Sequence, residues 1–288
     1  MTLRVIFDSN VFDEEFFPQM QAVTREQCRR GKLTILYPSI VVEEALRVYG
    51  SQTKRNLLVD SWLPFMLSTT KRFLAEPGDI FFEEVVRNRG AATPRTLRQS
   101  ADAALRRTLL NLPRDGSWPG FSEAKPERDK DLAKDVAQRK IALSMRKQVH
   151  KRAKELGIQG GDAAKPPFSE IRDLIVDGMG RDFLPAVLKV PVTPWVIERW
   201  ATNKAQYPFY TGFISDVIYM GYYAMRYPSA KVDQNALNDL KIQRHLMDAD
   251  AIVSNEKTFF QTAFDDLWKA QGKQLYTSLE FKSFLATF

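Results

Sequence analysis

Asp8 directly follows an apolar run at residues 3–7, where an acid contributes nothing to packing, and Ser9 and Asn10 come next. Three further acids lie early in helices or just after a strand in the predicted elements: Glu44, Asp239 and Glu256. Carboxylates that folding gathers into one pocket form a site for a divalent cation, because Mg²⁺ and Mn²⁺ prefer oxygen ligands. Such carboxylates also repel one another, so the pocket is costly without an ion.

The residue inventory restricts any metal site to oxygen ligands. One cysteine and two histidines exclude a thiolate zinc site and argue strongly against a multi-histidine site. Phosphodiester hydrolysis needs an activated water and a stabilised leaving oxygen, and one or two divalent ions supply both. On this account Asp8, Glu44 and Asp239 bind Mg²⁺ or Mn²⁺, and Glu256 binds the ion directly or through water.

Other polar residues near these acids are secondary candidates. Ser9 and Asn10 are placed to orient a water or a phosphate, and Glu43 is the alternative to Glu44. Asp216 interrupts a mostly apolar helix, where a lone buried carboxylate is unfavourable, so we expect it to face the same site or to pair with a basic residue. Each acid also has a structural interpretation, as a turn residue, a first-turn helix residue or a solvated one.

The elements that must hold these acids follow from the apolar pattern. Short β-rich runs predict strands at residues 3–7, 33–36, 251–253 and 274–276. Helical periodicity predicts helices at residues 11–30, 40–49, 235–247, 258–271 and 277–284. Pro18 interrupts the first of these stripes and favours a helix start close to it. Strands that alternate with helices at both ends of the chain predict an α/β fold with a parallel sheet. Asp8 then stands at the carboxyl edge, where such sheets place their active sites.

The middle of the chain has a different character. Helical periodicity and Pro-rich breaks predict a sheet domain of residues 1–50 and 205–288, interrupted by a helical insertion of residues 51–204. Segment 125–154 has eleven Lys or Arg and four Asp or Glu, an excess equal to the chain's net charge of +7. This local excess favours a nucleic-acid backbone as partner. The candidate contacts are Arg139, Lys140, Arg146, Lys147, Lys151 and Arg152.

Several other classes of function lose support. The N-terminus does not resemble a secretory signal, and no apolar run approaches the roughly 20 residues that cross a bilayer, so we expect a cytoplasmic protein without a membrane partner. The sequence has no Gly-x-Gly-x-x-Gly, no Gly-x-x-x-x-Gly-Lys and no Gly-x-Ser-x-Gly motif. Dinucleotide redox, P-loop and α/β-hydrolase chemistry are therefore disfavoured.

The four acids, in this order and with the segment Ile-Val-Ser-Asn-Glu-Lys-Thr-Phe at residues 252–259, resemble the PIN-domain superfamily of metal-dependent nucleases. The resemblance covers residues 1–50 and about 232–288. It implies a three-layer α/β/α core with a parallel sheet and a large helical insertion, and it implies Mg²⁺- or Mn²⁺-dependent endoribonuclease activity, with RNA favoured over DNA. Many bacterial members are toxins that a partner protein neutralises, so a toxin or defence role with an antitoxin-like inhibitor is also implied.

The chain departs from the family pattern at Glu256, where members usually have Asp. Asn255 or Asp250 is the alternative fourth ligand. The departure leaves open a catalytically degenerate PIN-like module that binds nucleic acid without cutting it. A phosphatase of the haloacid dehalogenase type also begins with a strand-end aspartate, but that chemistry usually has Asp two positions later, where this chain has Asn10.

Overall fold

A computed structural model describes residues 2–123, 166–188, 194–227 and 235–288, and six single helical positions, 140, 144, 147, 148, 151 and 155. The strands of these ranges are β1 (Leu3–Phe7), β2 (Leu33–Leu36), β3 (Ala251–Val253) and β4 (Gln274–Tyr276). The first helices are α1 (Phe17–Arg29), α2 (Ser39–Arg47), α3 (Gln52–Leu57), α4 (Leu63–Thr69), α5 (Pro77–Val85), α6 (Gln99–Leu110) and α7 (Pro119–Glu123). The later ones are α8 (Phe168–Leu188), α9 (Pro194–Thr202), α10 (Pro208–Arg226), α11 (Ala236–Arg244), α12 (Thr258–Leu267) and α13 (Ser278–Thr287).

Shorter turns extend or join these helices. A π-helical turn, Leu58–Trp62, links α3 to α4. The 3-10 turns are Ser9–Val11, Val48–Gly50, Gly90–Ala92, Lys204–Gln206, His245–Met247 and Lys269–Gln271. Within the described ranges, no helix combines the length and the apolar character that crossing a bilayer requires.

The four strands form one parallel sheet in the order β2-β1-β3-β4. The central strands consist mainly of apolar residues, because other secondary-structure elements cover both faces of a parallel sheet. Val5, Ile6 and Phe7 of β1 and Ile252 and Val253 of β3 are accordingly inaccessible to solvent. The predicted α/β class and all four predicted strands are confirmed.

The apolar pattern begins at residue 11, but the first helix starts beside Pro18, as the position of that proline predicted. Residues 9–11 form a 3-10 turn, and α1 starts only at Phe17. The carboxylate of Asp13 accepts hydrogen bonds from the backbone N–H groups of Glu15, Phe16 and Phe17, which fixes this start. Pro18 then occupies the first helical turn, where its missing N–H has no consequence. The chain leaves α1 through Gly31, whose φ of 71° is the left-handed conformation expected after a helix.

The chain divides into two units at positions that differ from the predicted boundaries. The first unit consists of residues 1–76, 94–125 and 241–288, and the second of residues 77–93 and 126–240. Residues 51–76 and 94–125 therefore belong with the sheet, whereas residues 205–240 do not. The reason is burial: Phe65 and Phe73 lie in the core of the first unit, and the Phe65 ring stacks on Phe7 of β1 at 6.1 Å.

In the second unit, a buried acid holds the start of α10. Glu84 of α5 has no solvent exposure, and its carboxylate accepts hydrogen bonds from the backbone N–H groups of Phe209 (3.3 Å) and Tyr210 (3.0 Å). The first N–H groups of a helix have no partner within the helix and carry partial positive charge. The carboxylate therefore satisfies both N–H groups and ties α10 to α5.

An added methyl group at each of two glycines of α8 should change the stability of the protein in opposite directions. A Cβ at Gly180 would lie 1.9 Å from the Trp200 ring, whereas a Cβ at Gly178 would meet nothing within 4 Å. Alanine is favoured over glycine inside a helix by about 1 kcal/mol. We expect Gly178→Ala to stabilise the second unit by up to that amount. The Gly180→Ala variant should be destabilised by about 2 kcal/mol, because the buried indole must move. Chemical denaturation compares the variants, and equal stabilities would contradict the packing.

Candidate metal centre

Asp8 stands where the direction of strand order reverses. β1 leads by α1 to β2 on one side, while its other neighbour is β3. In open parallel sheets the loops diverge at such a point and leave a crevice outside the carboxyl ends of the strands. Phe7 and Val253 are the last paired residues of β1 and β3, so Asp8 and Ser254 lie side by side at the carboxyl ends of these strands. The backbone N–H of Asp8 donates to Val253 O at 3.0 Å, which fixes its position.

The two carboxylate oxygens of Asp8 have different surroundings. Oδ2 accepts two hydrogen bonds, from Asn10 Nδ2 and Ser254 Oγ, each at 2.7 Å. Oδ1 accepts one close bond, from the backbone N–H of Ser9 at 2.6 Å. A carboxylate oxygen has two lone pairs. Oδ2 is therefore saturated, and Oδ1 is the oxygen that can take an additional ligand.

Ser9 links Asp8 to Glu44 of α2. Its hydroxyl donates to Glu44 Oε2 at 2.7 Å and lies 3.5 Å from Asp8 Oδ1. Because a serine hydroxyl has a single proton, the bond to Glu44 leaves the second lone pair of Asp8 Oδ1 open. Two residues separated by 36 positions in the sequence thus place their carboxylates on either side of one hydroxyl.

Glu43, the neighbour of Glu44, lies among charged residues that form no described contact with Asp8. Although its side chain is exposed, partial desolvation raises the pKa of Glu43, and the charge of Glu76 adds to this effect. The ammonium of Lys241, which pairs with Glu76 at 2.9 Å, opposes it. No described hydrogen bond links Glu43 to Asp8, so the geometry favours Glu44 over its neighbour.

The electrostatics of Asp8 are those of a carboxylate that lacks a counter-charge. Burial raises its pKa from 3.8 to about 6, and the negative charges of Glu44 and Glu256 raise it further within that total. The hydrogen bonds from Ser254 and from the Ser9 backbone act in the opposite direction but do not outweigh burial. A nearby cation would relieve both the desolvation and the repulsion of the ionised form.

Glu256 lies on the solvent-exposed side of the residues around Asp8. Its side chain is exposed, and its backbone N–H donates to Ser254 Oγ at 3.1 Å. Its charge is the last-ranked of the causes that shift the pKa of Asp8. Glu256 is thus near enough to act on Asp8 through space, which suits a water-mediated contact better than direct coordination.

The donor set at this edge fits Mg²⁺ or Mn²⁺. Such ions are usually held by one or two carboxylates, and waters fill the remaining positions. Asp8 Oδ1 and the Glu44 carboxylate supply that number on either side of the Ser9 hydroxyl. Among the residues that the structure describes, no group of three or more His, Cys, Asp or Glu is arranged to hold an ion. At this edge of the sheet, a divalent cation would therefore be coordinated by two carboxylates and by water.

Of the three other candidate acids, one lies at the opposite end of the sheet and two belong to the second unit. Asp250 lies at the amino end of β3, where its carboxylate accepts from the backbone N–H of Arg4 at 2.8 Å. Arg4 is four residues before Asp8 on the same strand, which is about 13 Å at the usual rise. Asp250 is therefore too distant to replace Glu256. Asp216 and Asp239 belong to the second unit, and both are buried there.

Three residues of this edge were not among the predicted site residues. Ser254 is almost fully buried and donates to Asp8. Asp13 and Ser278 both contact the Asn255 amide. The sequence contained a signal for Ser254 alone: it directly follows a predicted strand, as Asp8 does, and adjacent parallel strands bring such positions together.

The predicted nucleic-acid contacts lie in the second unit and are described in part. Lys140, Lys147 and Lys151 are helical and exposed. All three side chains are therefore accessible to a partner. Arg139, Arg146 and Arg152 lie outside the described residues.

Comparisons of the chain with protein-family models, with curated proteins and with solved structures gave no match. The geometry and the electrostatics around Asp8 are therefore the structural basis for a functional proposal.

Proposed function

We propose that the first unit is a PIN-like nuclease domain that hydrolyses phosphodiester bonds of RNA with Mg²⁺ or Mn²⁺. One observation carries the proposal: Asp8 and Glu44 face one serine hydroxyl at the switch point of a parallel sheet, and the pKa of Asp8 is raised to about 6. A buried carboxylate whose pKa is raised by desolvation and by specific neighbouring charges is a candidate functional residue. The resemblance of the chain to PIN nucleases adds the reaction class.

Each residue has a defined task in this proposal. Asp8 Oδ1 and Glu44 hold the cation, while Asn10 and Ser254 hold Asp8 Oδ2 so that the other oxygen stays directed to the ion. Glu256 contacts the ion through water, and Asp239 is proposed as a further acid on the basis of the resemblance alone. A bound divalent cation lowers the pKa of a water and stabilises charge on the leaving oxygen.

Substrate binding is assigned to the basic stretch. The exposed lysines of this stretch neutralise phosphates and release condensed counterions, so affinity should fall steeply with salt. The basic stretch 125–154 lacks aromatic residues, which favours contact with the backbone over stacking on bases. A cytoplasmic toxin or defence nuclease with an inhibitory protein partner is the setting that the resemblance suggests.

Adjacent glutamates provide a matched test of the proposed function. We expect Glu44→Gln to reduce Mn²⁺-dependent cleavage of a single-stranded RNA by at least about 100-fold, because metal catalysis supplies several kcal/mol. Glu43→Gln should stay within about threefold of the wild type, since Glu43 is not linked to Asp8. Initial rates with RNA and DNA of the same sequence measure both effects and the substrate preference. Equal losses in the two variants would contradict the assignment of Glu44.

The second candidate is a PIN-like module that binds nucleic acid but does not cut it. The exposed side chain of Glu256 favours this candidate, because a carboxylate surrounded by solvent is held less firmly as a fourth ligand. Binding of RNA without cleavage at any Mn²⁺ concentration would support it over the nuclease. The phosphatase alternative has less support. The Asn10 amide donates a hydrogen bond to Asp8, and an amide cannot act as the general acid that a second aspartate provides.

A further inference from the structure

The side chain of Asn255 joins three segments that converge behind the carboxylate of Asp8. Its Nδ2 shares two hydrogens among three acceptors: Ser278 Oγ at 2.8 Å, the backbone carbonyl of Asn10 at 3.1 Å and Asp13 Oδ2 at 3.2 Å. Its Oδ1 accepts from the backbone N–H of Ser278 at 2.8 Å. The amide thus connects the loop after β1, the start of α1 and the first residue of α13.

Backbone N–H groups fix the orientation of this amide and of the Asn10 amide. The N–H of Ser278 can only donate, so the atom that faces it must be Asn255 Oδ1. The N–H of Asn255 donates to Asn10 Oδ1 at 2.8 Å, so the other amide atom of Asn10 must be Nδ2. That Nδ2 donates to Asp8 Oδ2 at 2.7 Å and to Ser254 Oγ at 3.1 Å. Each residue in this series therefore determines which atom the next one presents.

We propose that Asn255 is a positioning residue for Asp8 and acts through Asn10. Its side chain holds the backbone of Asn10 from one side, and its own backbone N–H holds the Asn10 amide from the other. Asn10 in turn occupies Asp8 Oδ2 and leaves Oδ1 for a ligand. Asn255 therefore does not bind the ion itself, because all of its amide atoms have protein partners.

The same geometry explains why asparagine, and not aspartate, is suited to this position. Nδ2 faces three oxygens, of which the Asn10 carbonyl and the Asp13 carboxylate can only accept. A carboxylate oxygen in its place would oppose the negative charge of Asp13 and lose all three donor contacts. Asp13 also caps α1, so the disturbance would reach the start of that helix.

Amide hydrogen exchange of the metal-free protein tests this positioning role. In Asn255→Asp and Asn255→Ala we expect the Ser9 amide, which donates to Asp8 Oδ1, to exchange at least tenfold faster than in the wild type. The matched control is Thr277→Ala, which removes the N-cap of α13 but no bond of Asn255. It should leave Ser9 exchange within threefold. Unchanged Ser9 exchange in both Asn255 variants, or an equal acceleration in Thr277→Ala, would overturn the proposal.

The expected effect of Asn255 on cation affinity rests on the proposed function and is measured in a separate experiment. Residues that orient a metal ligand typically change metal affinity by about 10- to 100-fold. We expect Mn²⁺ titration calorimetry to show this loss in Asn255→Asp and not in Thr277→Ala. If the wild type binds no Mn²⁺, the metal centre fails while the exchange result still decides the role of Asn255. If the wild type binds Mn²⁺ and Asn255→Asp binds it equally well, the positioning role fails.

Discussion

The Asp8→Asn variant should lose metal-dependent RNA cleavage by at least about 1,000-fold while its affinity for RNA stays within about threefold of the wild type. Asp8 Oδ1 is the proposed inner ligand, and an amide in this place removes the negative charge that holds a divalent cation. RNA affinity is assigned to lysines of the second unit, which this substitution does not touch. Single-turnover rates in Mn²⁺ and filter binding in chelator measure the two quantities separately.

A matched control uses an acid at the opposite end of the same sheet. Asp250→Asn removes a carboxylate that bonds to the Arg4 backbone about 13 Å from Asp8, so cleavage should persist in it. Comparable loss of activity in both variants would mean that the fold, and not the charge at residue 8, was affected. Full activity in Asp8→Asn would contradict the nuclease assignment directly.

The same substitution should stabilise the metal-free protein at neutral pH. The folded-state pKa of Asp8 is raised to about 6, so between pH 4 and pH 6 the folded state binds more protons than the unfolded one. Folding stability from this group therefore falls as pH rises through that window, by about 3 kcal/mol in total. Asparagine has no such titration but loses one hydrogen bond, so we expect Asp8→Asn to be more stable by about 2 kcal/mol at pH 7.5.

This comparison must be made as a difference between variants, because His245 titrates in the opposite sense. Burial, with the charges of Arg244 and Arg95, lowers the pKa of His245 from 6.5 to about 3. The unfolded state then binds the extra proton, and stability is lost as pH falls through the same region. The histidine contribution cancels when Asp8→Asn is compared with the wild type at each pH. Urea denaturation in chelator at pH 4 and pH 7.5 provides the measurement, and a stability difference that is the same at both pH values would contradict the raised pKa.

The sheet was predictable because its signals are local. Each strand is a short apolar run that ends at polar residues, and parallel strands buried on both faces require such runs. The place of Asp8 at the carboxyl edge followed from its position directly after the first predicted strand. Pro18 also indicated the start of α1, whereas the three hydrogen bonds to the Asp13 carboxylate that fix this start have no local signal in the sequence.

The site was predictable only where the sequence pattern constrains side-chain direction. Glu43 and Glu44 are adjacent, so the periodicity of α2 could not decide between them, and the Ser9 hydroxyl does. Asp250 and Asp8 both lie beside strands, but Asp250 precedes β3 whereas Asp8 follows β1, which puts them at opposite ends of the sheet. Asn255 was predicted as a possible ligand, yet its partners come from residues 10, 13 and 278, which no local pattern connects.

The proposed nuclease activity requires above all a divalent cation that binds between Asp8 and Glu44. Anomalous scattering from crystals soaked in Mn²⁺ tests this claim directly. We expect one ion at about 2.1 Å from Asp8 Oδ1, with a Glu44 oxygen bound directly or through one water, and no ion at this place in Asp8→Asn. An edge that stays empty at saturating Mn²⁺, or an ion that binds elsewhere and is retained in Asp8→Asn, would contradict the account.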